Sequence, residues 1–168
     1  MIHVCSLALL PEIVAQTGAR HVVTLLGNET NVNCPECIPR ANHLWLRMHD
    51  IVSPVDGHII PAETHVDELL RFIRNWDRAA PMVVHCYAGI SRSTAAAFTT
   101  VCALNPQRDE HEIALEIRQA SPTACPNTRI VAYADRLLGR DGRMVAAVES
   151  IGRGVIAEEG VPFSLSLE

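Results

Sequence analysis

The sequence predicts an α/β fold: a single domain whose central, mostly parallel sheet of four to five strands is flanked by helices. Three observations carry this. Short β-branched apolar runs alternate with longer segments of helical periodicity, the pattern of parallel strands joined by crossover helices. The chain of 168 residues is long enough for a core that needs no staples. Its six cysteines are scattered and form no compact disulfide scaffold.

The elements follow in order. Ile2 to Ser6 suits a short buried strand, and Ala8 to Ala19 a helix with Pro11 in its first turn and Gly18 at its end. His21 to Leu26 is β-branched and apolar, bounded by Gly27-Asn28, and reads as a second strand. Residues 28–41 are polar and carry Pro35 and Pro39, so they form a loop. His43 to Met48 makes the next strand, and Ile51 to Pro61 a loop punctuated by proline and glycine. Val66, Leu69, Leu70, Phe72, Ile73 and Trp76 recur at helical spacing through residues 63–78. Pro81 precedes a strand over Met82–His85. Helices are expected over Ser93–Leu104 and Asp109–Ala120. A further helix begins at Asn127 and runs to about Leu138, resuming from Arg143 to Ile151.

Composition excludes several classes. The formal net charge is −5, against nucleic acid or an anionic membrane as the main partner. All fourteen basic residues are arginines. No apolar run approaches the ~18 residues of a membrane span. The start, Met1-Ile2-His3-Val4-Cys5-Ser6-Leu7, lacks a basic segment and reads as a strand rather than a signal peptide. A reducing cytoplasm is the expected setting.

The most informative stretch is Val83-Val84-His85-Cys86-Tyr87-Ala88-Gly89-Ile90-Ser91-Arg92-Ser93. A strand delivers a cysteine, five residues follow, then an arginine, a serine and an alanine-rich helix. Five residues suit a loop whose N–H groups turn inward around one tetrahedral oxyanion, a backbone nest. In parallel sheets such sites lie beyond the carboxyl ends of the strands. The cysteine is a nucleophile as thiolate, and the amides, the helix N-terminus and the guanidinium all favour negative charge there. Gly89 permits backbone angles closed to other residues. Arg92 offers a planar fork for two phosphoryl oxygens. Ser93 suits a hydrogen bond to the departing sulfur. A leaving oxygen must also be protonated. Asp50, at the end of a predicted strand, is the preferred acid, with Asp56 on the same loop as the alternative.

His85-Cys86-x5-Arg92-Ser93 resembles the signature of the cysteine-dependent protein tyrosine phosphatases, in their compact dual-specificity-like branch, and the chain reads like a bacterial member. The Asp-bearing loop and the run Ser121-Pro122 through Pro126-Asn127 before a late helix resemble the family layout, over roughly residues 20–138. The resemblance implies a phosphotyrosine protein phosphatase-like fold over residues 1–151, followed by a C-terminal tail at 152–168. It implies a metal-free, two-step reaction through a phosphocysteine. Cys86 is then the nucleophile, Arg92 and the loop residues Tyr87, Ala88, Gly89, Ile90 and Ser91 bind phosphate, and Asp50 is general acid, then base. His85 and Ser93 support the loop and the thiolate. The substrate is a phosphorylated protein or a small phosphate monoester.

Other readings are a phosphatase for nucleotides, lipids or inositol phosphates, a non-catalytic phosphate-binding module, and arsenate reduction or sulfur transfer. The upstream acid and the lack of an obvious set of resolving thiols disfavour the last. Cys34-Pro35-Glu36-Cys37 lacks a second pair to complete a zinc site and reads as a loop with two thiols. Oxidation joining Cys86 to another cysteine is a further expectation. Trp45 and Trp76 are expected in the core. The arginines at 129, 136, 140 and 143 are expected on a solvated face.

Overall fold

The computed structural model describes residues 1–167. Among these, five strands and six α-helices alternate as β1 (Ile2–Ser6), α1 (Leu10–Thr17), β2 (His21–Leu25), β3 (His43–Leu46), α2 (Glu63–Arg74), β4 (Met82–Cys86), α3 (Arg92–Leu104), α4 (Glu110–Ala120), α5 (Thr128–Leu137), α6 (Arg143–Ser150) and β5 (Phe163–Leu165). The sheet order is β3-β2-β4-β1-β5, with the first four strands parallel and β5 antiparallel to β1.

The sheet separates two apolar layers. Helix α1 covers one face, packing Leu10 and Val14 on Cys5, Val22 and Val83. Helices α2 to α6 cover the other, where Leu69, Phe98, Ile113 and Val131 meet Val4, Val23 and Val84. Strand β4 is buried on both faces, as its unbroken apolar run foretold. Helix α3 is buried through nearly its whole length, and Ala95, Ala96 and Ala97 let it sit close to the sheet. Trp76 is buried, whereas Trp45 lies half-buried on edge strand β3 under the Arg47 guanidinium. No helix among the described residues is long and apolar enough to cross a membrane.

Several elements differ from expectation for local reasons. Helix α2 stops at Arg74, because the chain must reverse into β4 and does so with Arg78 at φ 61°. The break between α5 and α6 falls at Gly139 and Gly142, both at positive φ. Asp135 of α5 then caps α6 from a distance, accepting from Gly142 N at 2.7 Å and Met144 N at 2.8 Å. Residues 152–168 supply β5, burying Phe163 and Leu165 while Ser164 faces outward.

Of the late arginines, Arg136 and Arg143 are exposed as expected, Arg129 is half-buried, and Arg140 departs from the solvated face. Arg140 is buried, donating to Glu110 Oε1 at 2.8 Å and Cys102 O at 2.7 Å. Arg143 also pairs with Glu110, Arg136 with Glu63, and Arg129 donates to Pro61 O at 2.8 Å. Each ties α5 or α6 to a neighbour.

Candidate active site

Parallel strands end at one edge, and that edge gathers the candidate residues. Cys86 closes β4, the loop 87–91 follows, and Arg92 opens α3. Asp50 lies beyond β3 in the same rim, two strands away in the sheet.

The loop is held from outside by its carbonyls. Tyr87 O accepts from Leu7 N at 3.1 Å, Ala88 O from Gly160 N at 2.8 Å and Ile90 O from Cys125 N at 2.9 Å. Ser91 O accepts from Ala95 N at 3.0 Å and from the Thr94 hydroxyl at 2.9 Å. Among the described residues no protein acceptor takes the N–H of Ala88, Gly89, Ile90 or Ser91. Four of the five loop carbonyls bonded to surrounding groups, with amides left over, is the arrangement of an anion nest. Gly89 sits at φ 75°, and a Cβ there would lie 2.8 Å from Cys5 C and Ser6 N, so both its torsion and its closeness to β1 require glycine.

Cys86 is buried, with its Sγ 3.2 Å from Ser93 Oγ. Arg92 is buried too. It donates from Nη1 to Met48 O at 3.0 Å, while its Nε, also buried, meets no acceptor among the described residues. The Met48 carbonyl therefore orients the fork and leaves Nε for an anion.

Asp50 is fixed at the rim. Its Oδ1 accepts from Ser91 Oγ and from Asn127 Nδ2, each at 2.8 Å, while Oδ2 has no partner among the described residues. Asn127 also caps α5 by accepting from Arg129 N and Ile130 N. Asp56 is exposed, and no hydrogen bond to its carboxylate is made among the described residues. The structure thus brings Asp50 to the loop and leaves Asp56 outside. Sequence reasoning read Asn127 as a cap and missed its hold on Asp50. It also missed Met48 O and Thr24, because these contacts join segments far apart in the chain.

His85 is fully buried beside Thr24, with Nε2 to Oγ1 at 2.7 Å, and the same hydroxyl meets His43 Nε2 at 2.8 Å. Burial lowers His85 to about 4, helped by the charges of His43 and Arg92 and opposed by the Cys86 backbone. The folded chain therefore refuses a proton that the unfolded chain accepts below about 6.5. Stability is whole above that pH and falls as pH drops towards 4, by about 1.4 kcal/mol per unit and roughly 3 kcal/mol across the window. Denaturant unfolding at pH 7 and pH 5 checks this, with a shallower dependence expected for His85→Gln.

All six cysteines are free thiols among the described residues. Cys5 is the one closest to the site in the sheet, opposite His85, and burial pushes its thiol up to about 12, with Cys86 and Glu159 adding to the rise. It packs in the layer under α1, whereas Cys86 packs in the main core, so the two belong to opposite faces of the sheet.

The profile of the protein-tyrosine phosphatase family matches residues 55–130, which takes in the Cys86–Arg92 loop and Asn127 but begins downstream of Asp50. No curated protein matches the chain. Solved structures similar to it include DUSP15, 18% identical with a TM-score of 0.61, covering 89% of this chain and 90% of that one. Human DUSP28 is 16% identical with a TM-score of 0.62, covering 83% and 88%. PTPMT1, in a complex with PI(5)P, is 16% identical with a TM-score of 0.60, covering 88% and 93%. At such identities the likeness is one of fold, and the family profile adds the sequence that surrounds the loop. Together they bear on what the Cys-x5-Arg motif raised: the loop-bearing part of this chain matches the protein-tyrosine phosphatase family, and its fold is that of solved dual-specificity phosphatases.

Proposed function

We propose that the protein dephosphorylates phosphotyrosine in proteins through a phosphocysteine on Cys86. The observation that carries the reading is the burial of the nucleophile. Cys86 is 2% exposed and Arg92 8%, while Tyr87 in the loop between them is 67% exposed. A phosphate at the end of a long aryl side chain reaches a buried sulfur better than one on the short side chain of serine or threonine.

In the first step Cys86 Sγ attacks phosphorus and the bond to the ester oxygen breaks, with that oxygen taking a proton from Asp50. Both neighbours of Asp50 bond Oδ1, which leaves Oδ2 to carry the proton. The loop amides and the Arg92 fork hold the equatorial oxygens as charge redistributes. In the second step a water attacks phosphorus and gives its proton to Asp50, the P–S bond breaks, and Ser93 Oγ stabilises the departing thiolate from 3.2 Å. His85, immediately before the nucleophile, is held by Thr24 of β2.

The fold of PTPMT1 was solved with PI(5)P, so a lipid phosphate is the competing substrate. Tyr87, Ala88, Ile90 and Ser91 put no cation in the loop to meet further phosphates. A panel of phosphotyrosyl, phosphoseryl and phosphothreonyl peptides, nucleotides and phosphoinositides, assayed by phosphate release, tests the reading. Phosphotyrosyl peptides are expected to have the highest kcat/KM, and a phosphoinositide exceeding them overturns the assignment.

A further inference from the structure

The wall beyond Asp50 bears on what the phosphate is attached to. A groove of about 560 Å³ runs from Asp50 and Ser91 between the loop after β3 and the corner before α5, and it reaches Arg153. Its lining is mostly apolar and includes Val52, Val55, Ile90 and Pro126. Val52 and Val55 are 53% and 47% exposed, unusual for valines on a loop with no packing partner above them. Past Arg153 the groove opens into a second hollow of about 310 Å³ bordered by Val155 and Ile156. Arg153 is thus the cation shared by both hollows. It is exposed and makes no hydrogen bond or ion pair among the described residues. The other late arginines are all engaged by partners in the fold.

We propose that this groove holds the polypeptide flanking the phosphotyrosine, with an apolar side chain against Val52 and Val55 and an acidic side chain on Arg153. The inference rests on the phosphotyrosine reading and deepens it. Three features favour a peptide over a compact metabolite. The groove is continuous with the site, since Asp50 and Ser91 line it. It extends well past the volume that a phosphotyrosyl ring needs. And it alternates apolar walls with one unpaired cation, in a protein whose net charge of −5 would otherwise repel acidic peptides.

The test measures kcat/KM for phosphotyrosyl peptides in which Glu, Ala or Lys is moved through each flanking position, with p-nitrophenyl phosphate as the reference that does not reach the groove. The unmodified protein is expected to prefer Glu over Ala by roughly 3- to 10-fold at one flank. Arg153→Ala should erase that preference, Arg153→Glu should turn it towards Lys, and Arg153→Lys should keep most of it. All three variants should hydrolyse p-nitrophenyl phosphate as the unmodified protein does. Peptides turned over without regard to flanking charge overturn the proposal and leave the phosphotyrosine reading standing. If Arg153→Ala instead slows a phosphoinositide and not the peptides, the groove serves a second phosphate and the peptide occupant is wrong. Loss of turnover on every substrate, p-nitrophenyl phosphate included, removes the catalytic reading and this proposal with it.

Discussion

Cys86→Ser is expected to reduce turnover of p-nitrophenyl phosphate by roughly 10⁴-fold or more, with the protein still folded. The hydroxyl is close to the thiol in size, and it occupies a buried position beside Ser93 that already tolerates an oxygen neighbour. What it lacks is nucleophilicity, since a serine hydroxyl stays protonated where a thiol yields its anion. The loop carbonyls remain tied to Leu7, Gly160 and Cys125, and Arg92 to Met48, so the variant should still bind an oxyanion such as tungstate. Calorimetric titration with tungstate beside the turnover assay separates the two functions. Residual turnover above about a hundredth of the unmodified protein's would mean that the chemistry does not pass through this sulfur.

Asp50→Asn is expected to lower kcat by roughly 10²- to 10³-fold on substrates with poor leaving groups. The amide keeps a carbonyl oxygen to accept from Ser91 and Asn127, so the rim geometry survives while the transferable proton is lost. The deficit should shrink as the leaving group improves, because a p-nitrophenolate departs with little need of a proton. One limb of the pH–rate profile should disappear. Asp56→Asn should be indistinguishable from the unmodified protein, since that carboxylate is exposed and makes no hydrogen bond among the described residues. The reverse outcome, a normal Asp50→Asn and an inactive Asp56→Asn, would transfer the acid role to Asp56.

The parts of the fold legible in the sequence were those written in local chemistry. Pro11 and Gly18 bracket α1, with Gly18 at φ 66°, while Asp109 and Asn127 cap α4 and α5 through their own side chains. Three of the four parallel strands announced themselves by β-branched residues, and β3 as a short apolar run between a loop and His49-Asp50. Strand β5 did not, because three alternating residues after a proline carry too little pattern. Its partner β1 also lies at the opposite end of the chain. Helix α6 was legible as a segment but not its cap, which Asp135 supplies from the preceding helix. The candidate site divides the same way. Cys86, Gly89, Arg92 and Ser93 share one contiguous motif and were read from it. Met48 O, Thr24 and the second duty of Asn127 appear only when β2, β3 and α5 are brought to one rim. The burial of Arg140 was hidden for a like reason, since its partners Glu110 and Cys102 come from two other helices.

The last stretch before β5 has a consequence for when the catalyst exists. Gly160 donates to Ala88 O and lies so close to the loop that a Cβ there would come 3.0 Å from Gly89 O. Gly154 presses as tightly on Thr123, and Glu159 accepts from Ser6 at the end of β1. During synthesis Cys86, Arg92 and Asp50 all leave the ribosome before this brace does. A nascent chain with Gly160 still in the exit tunnel owns every reacting group yet lacks the outer wall that shapes the nest. Birth order along the polypeptide thereby separates the appearance of the chemistry from the appearance of its nucleophile.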